Sequence, residues 1–209
     1  MEFKRIAVLV SGSGSNLQAI LDKEIEYING KVVLVFSNIK SAYGLERARN
    51  HGVDAMSLSR KKFDSDEEYD EKLVELLKEY KVDLIVLAGY LRIITPKLID
   101  QFENQIINIH PSLLPSFGGK GCYGIHVHEK VLERGCKVTG ATVHFVDHGA
   151  DTGPIILQDA LEIDQSWSPE DLQKAVLEIE HRLLPEAVKL YCEDKLEIVN
   201  KRVYIKEQQ

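Results

Sequence analysis

A chain of 209 residues is long enough to bury a core without a disulfide or metal staple, and it reads as one domain. Apolar residues make up 44% and charged residues 28%, as in an ordinary soluble globular protein. With 33 acids against 26 bases the net charge is −7, which argues against a general nucleic-acid binder but not against an anionic small ligand held by loops and helix ends.

Lys4 and Arg5 precede an apolar run over 6–10 that is too short for a signal peptide, and no stretch approaches a membrane span. Residues 6–10, 32–36 and 84–87 are short, β-branched and apolar throughout, as expected of strands buried on both faces. Between them, 17–21 predicts a helix capped by Ser or Asn, 43–49 a second, and 66–80 a third with acids at its start. Residues 106–109 predict a further strand, and the alternation implies an open, mostly parallel sheet with helices on both faces. After a Gly-rich loop over 117–124, residues 128–134 look helical. Residues 138–146 alternate like an exposed or edge strand, and 155–163 form another, so antiparallel additions are expected in the C-terminal half. Residues 169–190 make a long amphipathic helix capped by Ser168, with Pro169 at its first position and a kink or break expected at Pro185. Two short β-like runs close the chain, at 196–199 and 203–205. Cys122, Cys136 and Cys192 form no CxxC pair and fit a reduced, cytoplasmic protein.

Three segments carry chemistry. In Asn108-Ile109-His110-Pro111-Ser112-Leu113-Leu114-Pro115, strand alternation puts Asn108 and His110 on one side, and the prolines end the strand just beyond them. An amide beside an imidazole at a strand end can steady an oxyanion and move a proton. Asp151-Thr152-Gly153-Pro154 is either the acid that orients this imidazole or a plain turn. Ser11-Gly12-Ser13-Gly14-Ser15-Asn16-Leu17 is either a phosphate cradle or a tight strand-to-helix turn. Leu17 occupies the third glycine position of a dinucleotide fingerprint, and no P-loop Lys is present. His126, His128, His144 and His148, with Asp147, show no metal-ligand spacing, so no metal is expected. Tyr90 and Arg92 stand at a sheet end, where Arg92 makes a ligand contact or a surface ion pair.

These segments together resemble the folate-dependent formyltransferases. The likeness extends through Phe36-Ser37-Asn38, Gly44-Leu45-Glu46-Arg47-Ala48, Leu87-Ala88-Gly89-Tyr90-Leu91-Arg92-Ile93, and His144-Phe145-Val146 followed by Asp151-Thr152-Gly153-Pro154-Ile155-Ile156-Leu157-Gln158. The Asn-x-His-Pro-Ser-Leu-Leu-Pro block is common to the wider group, and the first loop is closer to the glycinamide ribonucleotide branch. The resemblance implies a Rossmann-like fold and formyl transfer from 10-formyltetrahydrofolate, as co-substrate, to the amine of glycinamide ribonucleotide. It implies a substrate phosphate on Gly14, Ser15 and Asn16, a contact from Glu180 to the glycinamide, and catalysis by Asn108, protonated His110 and Asp151. It also implies folate contacts from Leu91, Arg92, Ile93, Ile94, Asn108, Asp147, His148, Gly149, Ala150 and Asp151. Asp66 stands where relatives often carry a base, and Leu177 where they carry a polar residue. The implied partners are small molecules, with no nucleic acid or membrane, in a monomer or homodimer. The competing expectations are a formyltransferase acting on an amino sugar nucleotide and a non-catalytic nucleotide-binding module.

Overall fold

The apolar run after Lys4 and Arg5 forms β1 (Lys4–Val10), whose last five residues are buried. The computed structural model describes residues 3–24 and 27–206, and the chain falls into two compact units that divide between Asn108 and Ile109. In the first unit β1 is followed by α1 (Ser15–Leu21), β2 (Gly30–Ser37), α2 (Tyr43–Asn50), β3 (Asp54–Ser57), α3 (Asp66–Glu79), β4 (Leu84–Leu87), α4 (Pro96–Gln101) and the start of β5 (Ile106–His110). A single 3-10 turn at Arg60–Lys62 precedes α3. Every strand pairing in this unit is parallel, in the order β3-β2-β1-β4-β5. Successive residues of β1 and β4 are solvent-free, so both sheet faces are covered, as the uninterrupted apolar runs require.

The chain runs outward from β1 through β2 to β3, then returns to the other side of β1 as β4. That reversal makes the carboxyl ends of β1 and β4 a topological switch point, where the loops of neighbouring strands part and leave a crevice. The first Gly-rich loop and the 88–95 segment both leave from there.

The second unit holds the end of β5, α5 (Ile125–Glu133), β6 (Val138–Phe145), β7 (Ile155–Glu162), α6 (Pro169–Cys192), β8 (Leu196–Val199) and β9 (Arg202–Ile205). β6 and β7 are antiparallel, and α6 packs on both of them and on α5. The hairpin β8–β9 turns through Asn200 and Lys201, whose φ of 50 and 62° gives the backbone twist a two-residue turn needs.

Three expectations change, and two elements are new. β6 is buried from Thr139 to Phe145 and is not an exposed strand; α6 covers it, and β7 carries the half-exposed alternation instead. α6 runs unbroken through Pro185. A proline inside a helix costs about 3 kcal/mol, while each fully buried Leu or Val returns about 2 kcal/mol, and α6 buries Leu172, Val176, Leu183, Leu184 and Val188. Gly14, not Ser15 or Asn16, occupies the N-cap of α1. β3 and α4 were not expected: β3 has no apolar run, and α4 has six residues, too few for a helical period to show. Ser65 caps α3, while Ser168 and Asp171 form a reciprocal capping box on α6.

Candidate active site

In the first unit, the loop after β1 is shaped by backbone contact. Gly14 has φ 70°, and a Cβ there would lie 2.7 Å from the Gly44 Cα on α2, so only glycine fits. Gly44 N–H donates to the Gly12 carbonyl (3.1 Å), and Arg47 Nε donates to the Ser13 carbonyl (2.8 Å), bringing a cation to the loop. Gly14 at the N-cap has no side chain with which to cap α1, and a helix N-terminus of that kind suits an anion.

The neighbouring segment after β4 is tied to this loop. Ser11 Oγ accepts from Leu91 N–H (2.9 Å) and donates to Asn38 Oδ1 (2.6 Å), while Ser11 N–H donates to the Gly89 carbonyl (3.1 Å). Leu91 and Ile93 are 59% and 75% exposed, whereas Ile94 is buried. Arg92 makes ion pairs, one with the exposed Asp66 and one with the buried Asp70. Its guanidinium lies 4.0 Å from the Tyr69 ring centroid and within 3.2 and 3.3 Å of Asp66 and Asp70. Hydrogen bonding from Arg60 (2.5 Å), with the Arg92 charge, holds the Asp66 carboxyl below its ordinary range, whereas burial pushes Asp70 up. The acid at 66 is therefore spent on two arginines.

In the second unit, His110 lies buried at the end of β5, two residues after the half-buried Asn108 on the same strand. His110 Nε2 is 2.9 Å from the Phe117 carbonyl, which can only accept, so Nε2 carries the proton. Nδ1 then faces Asp151 Oδ2 at 3.6 Å. The other carboxylate oxygen, Oδ1, lies 3.7 Å from His144 Nε2, and His144 Nδ1 donates to the Phe145 carbonyl at 2.7 Å. Neutral His110 thus uses its one N–H on a carbonyl and turns its other nitrogen towards Asp151. The cluster is a socket for a proton: an imidazole that takes one becomes a donor to the carboxylate.

Electrostatics set the resting state. Burial pushes His110 below its ordinary 6.5, outweighing the Asp151 charge and the Phe117 contact, so the imidazole is mainly neutral at neutral pH. The protonated His110 expected from the resemblance belongs to the reaction intermediate, and a neutral resting imidazole has room for the proton it would then carry. Burial pushes Asp151 up, but hydrogen bonds from His144 and Gly119 N–H (2.8 Å), with the charges of His110 and His144, outweigh it and keep the carboxylate ionised.

Asp151 sits at φ 57°, a strained conformation that Asp tolerates better than most residues. Its loop is pinned by Gly153, where a Cβ would lie 1.8 Å from the Phe145 carbonyl oxygen. Gly153→Ala should therefore lower stability by about 3 kcal/mol, read as a drop in the urea midpoint, because backbone must move to admit the methyl. Asp147 Oδ1 accepts from Gly149 N–H (3.0 Å) and Thr152 Oγ1 (2.6 Å) and shapes the exposed turn carrying His148, Gly149 and Ala150. Glu180 is a buried acid on α6.

His144 was legible only as a stray candidate ligand; its position in β6, one residue before Phe145, is what turns it to Asp151. His128 on α5 is buried, and its Nδ1 has no hydrogen-bond partner among the described residues. Burial and the neighbouring His110 push it down to about 4. An unfolded His takes up a proton below 6.5 while the folded one resists until about 4, so stability falls across that interval as pH drops. His128→Leu should make the loss of unfolding free energy across that interval smaller by about 2 kcal/mol, measured by urea titration at both ends. His126 pairs with Glu129 at 2.8 Å. Among the described residues no group of three His, Cys, Asp or Glu side chains is placed to hold a metal ion.

A family model described as formyl transferase matches residues 4–188. The chain is 44% identical over 195 residues to the chloroplastic phosphoribosylglycinamide formyltransferase of Arabidopsis thaliana, covering 92% of this chain and 67% of that protein. It is 43% identical over 188 residues to the trifunctional purine biosynthetic protein adenosine-3 of Drosophila melanogaster, covering 88% of this chain but spanning only 14% of that protein. The crystal structure of glycinamide ribonucleotide transformylase 1 from Symbiobacterium toebii superposes with a TM-score of 0.94 at 47% identity, over 98% of this chain and 95% of that one.

Proposed function

Because the chain belongs to the formyl transferase family, we propose that it acts as one formyltransferase domain. The formyl group passes from 10-formyltetrahydrofolate to the amine of 5-phosphoribosylglycinamide, giving N-formylglycinamide ribonucleotide and tetrahydrofolate in purine biosynthesis. The observation that carries this choice of acceptor is the likeness to the S. toebii transformylase over nearly the whole of both chains. The His110–Asp151 cluster supports the reaction type, since a buried imidazole beside an ionised carboxylate suits proton transfer during attack by an amine.

In this reading the backbone of Gly14, Ser15 and Asn16 takes the phosphate, and the buried carboxylate of Glu180 meets the glycinamide. Leu91 to Ile94, Asn108 and the turn from Asp147 to Asp151 meet the folate. Arg92 contributes through its backbone, since its guanidinium is held by Asp66 and Asp70. The bound folate supplies the electrophilic formyl carbon. As the amine nitrogen bonds to that carbon, its proton passes to His110 Nδ1 beside Asp151, directly or through a water. The imidazole that starts neutral is then a cation when negative charge reaches the formyl oxygen, and with the Asn108 amide it stabilises that charge. When the carbon–N10 bond breaks, the same proton goes to the departing nitrogen, and His110 returns to its neutral state. The reading places the protein in the cytoplasm with small-molecule partners. Among the described residues no helix is long and apolar enough to cross a membrane.

The test is tetrahydrofolate release from 10-formyltetrahydrofolate by the purified protein, with glycinamide ribonucleotide or an amino sugar nucleotide supplied. Release with the glycinamide alone is expected. Release only with the sugar nucleotide, or none with either, overturns the proposal.

A further inference from the structure

The 88–95 segment has neither helix nor strand, yet it presents two large apolar side chains, Leu91 and Ile93, to solvent. A segment of that kind keeps one shape only if something outside it holds it. It is held at both ends. Ser11 Oγ takes the Leu91 N–H at the start, and Asp70 on α3 takes the Thr95 N–H at the end (2.6 Å) while facing the Arg92 guanidinium at 3.3 Å.

Asp70 is fully buried. Burying a carboxylate is costly, and an apolar residue of similar size commonly serves stability as well or better. Here the charge has a directional task. It draws Arg92 inward over the Tyr69 ring, while Leu91 and Ile93 on either side of it stand exposed. Asp66, itself held by Arg60, closes the outer side of the guanidinium.

The geometry points to Asp70 as a positioning residue that, with Ser11 at the other end, sets the Leu91–Arg92–Ile93 conformation that receives the folate co-substrate. This assignment rests on the proposed folate role of that segment. Asp70 touches no substrate; it acts through Arg92 and the Thr95 amide. Its loss should therefore appear as weaker folate binding, with the chemical step and the grip on the phosphorylated acceptor left intact.

Asp70→Asn keeps an acceptor for Thr95 N–H and removes the charge that holds Arg92. It should raise the KM for 10-formyltetrahydrofolate about tenfold while kcat and the KM for glycinamide ribonucleotide stay within about twofold. Ser11→Ala, which frees the opposite end without touching a buried charge, should raise the folate KM in the same direction and carries the test if Asp70→Asn does not fold. An unchanged folate KM in either folded variant overturns the assignment, as does a parallel fall in kcat and in affinity for both substrates, the pattern of general loosening. Calorimetric titration with tetrahydrofolate separates this from failure of the proposed function. A protein that binds folate but formylates no glycinamide contradicts the function, while equal folate affinity in unmodified and Asp70→Asn protein contradicts only the role of Asp70.

Discussion

Asp151→Asn should lower kcat by about 10³-fold while both KM values stay within a few-fold, the scale of a lost acid–base group. The substitution keeps the shape of the side chain and an oxygen for the Gly119 N–H, so the turn should stand. What it removes is the negative charge facing His110 Nδ1 and His144 Nε2. Without that charge, a proton arriving on the buried His110 has no anion beside it, and the imidazolium becomes much more costly to form. Steady-state kinetics with each substrate varied in turn check this. A variant retaining more than about a tenth of the turnover would show that Asp151 is a turn residue and no more.

The second large effect is on pH. If His110 must start neutral to take the amine proton, kcat/KM falls about tenfold per unit of pH below the His110 pKa, which burial holds under 6.5. Asp151, held under 3.8, protonates later and does not set this limb. The sign of the coupling is fixed: the Asp151 charge raises the His110 pKa, so the residual activity of Asp151→Asn should show its acid limb at lower pH than the unmodified protein. A limb that moves to higher pH, or activity that rises on acidification through this range, contradicts a neutral resting His110.

Much of this was readable from residues alone, for physical reasons. β1, β2, β4 and β5 announce themselves because strands buried on both faces must be apolar at every position, and the Asn108 and His110 pair follows from strand alternation ended by prolines. What escaped depends on contacts between segments. The approach of Asp151 to His110 rests on a positive φ and on Gly153 packing against the Phe145 carbonyl, which no spacing rule contains. His144 looked like a spare ligand because its role comes from β6 facing that turn. Arg92 looked like a ligand contact or a surface charge, and its burial against Asp70 requires α3 to lie beside the 88–95 segment. The resting charge of His110 was also out of reach, since burial decides it against the pull of a neighbouring anion.

The most direct measurement supplies glycinamide ribonucleotide and 10-formyltetrahydrofolate carrying an isotopically labelled formyl carbon, and follows the label by mass spectrometry. The account predicts label on the glycinamide nitrogen, formed at the rate of tetrahydrofolate release and lost together with it in His110→Ala. Label released as free formate, or a glycinamide product that persists undiminished in His110→Ala, would contradict it.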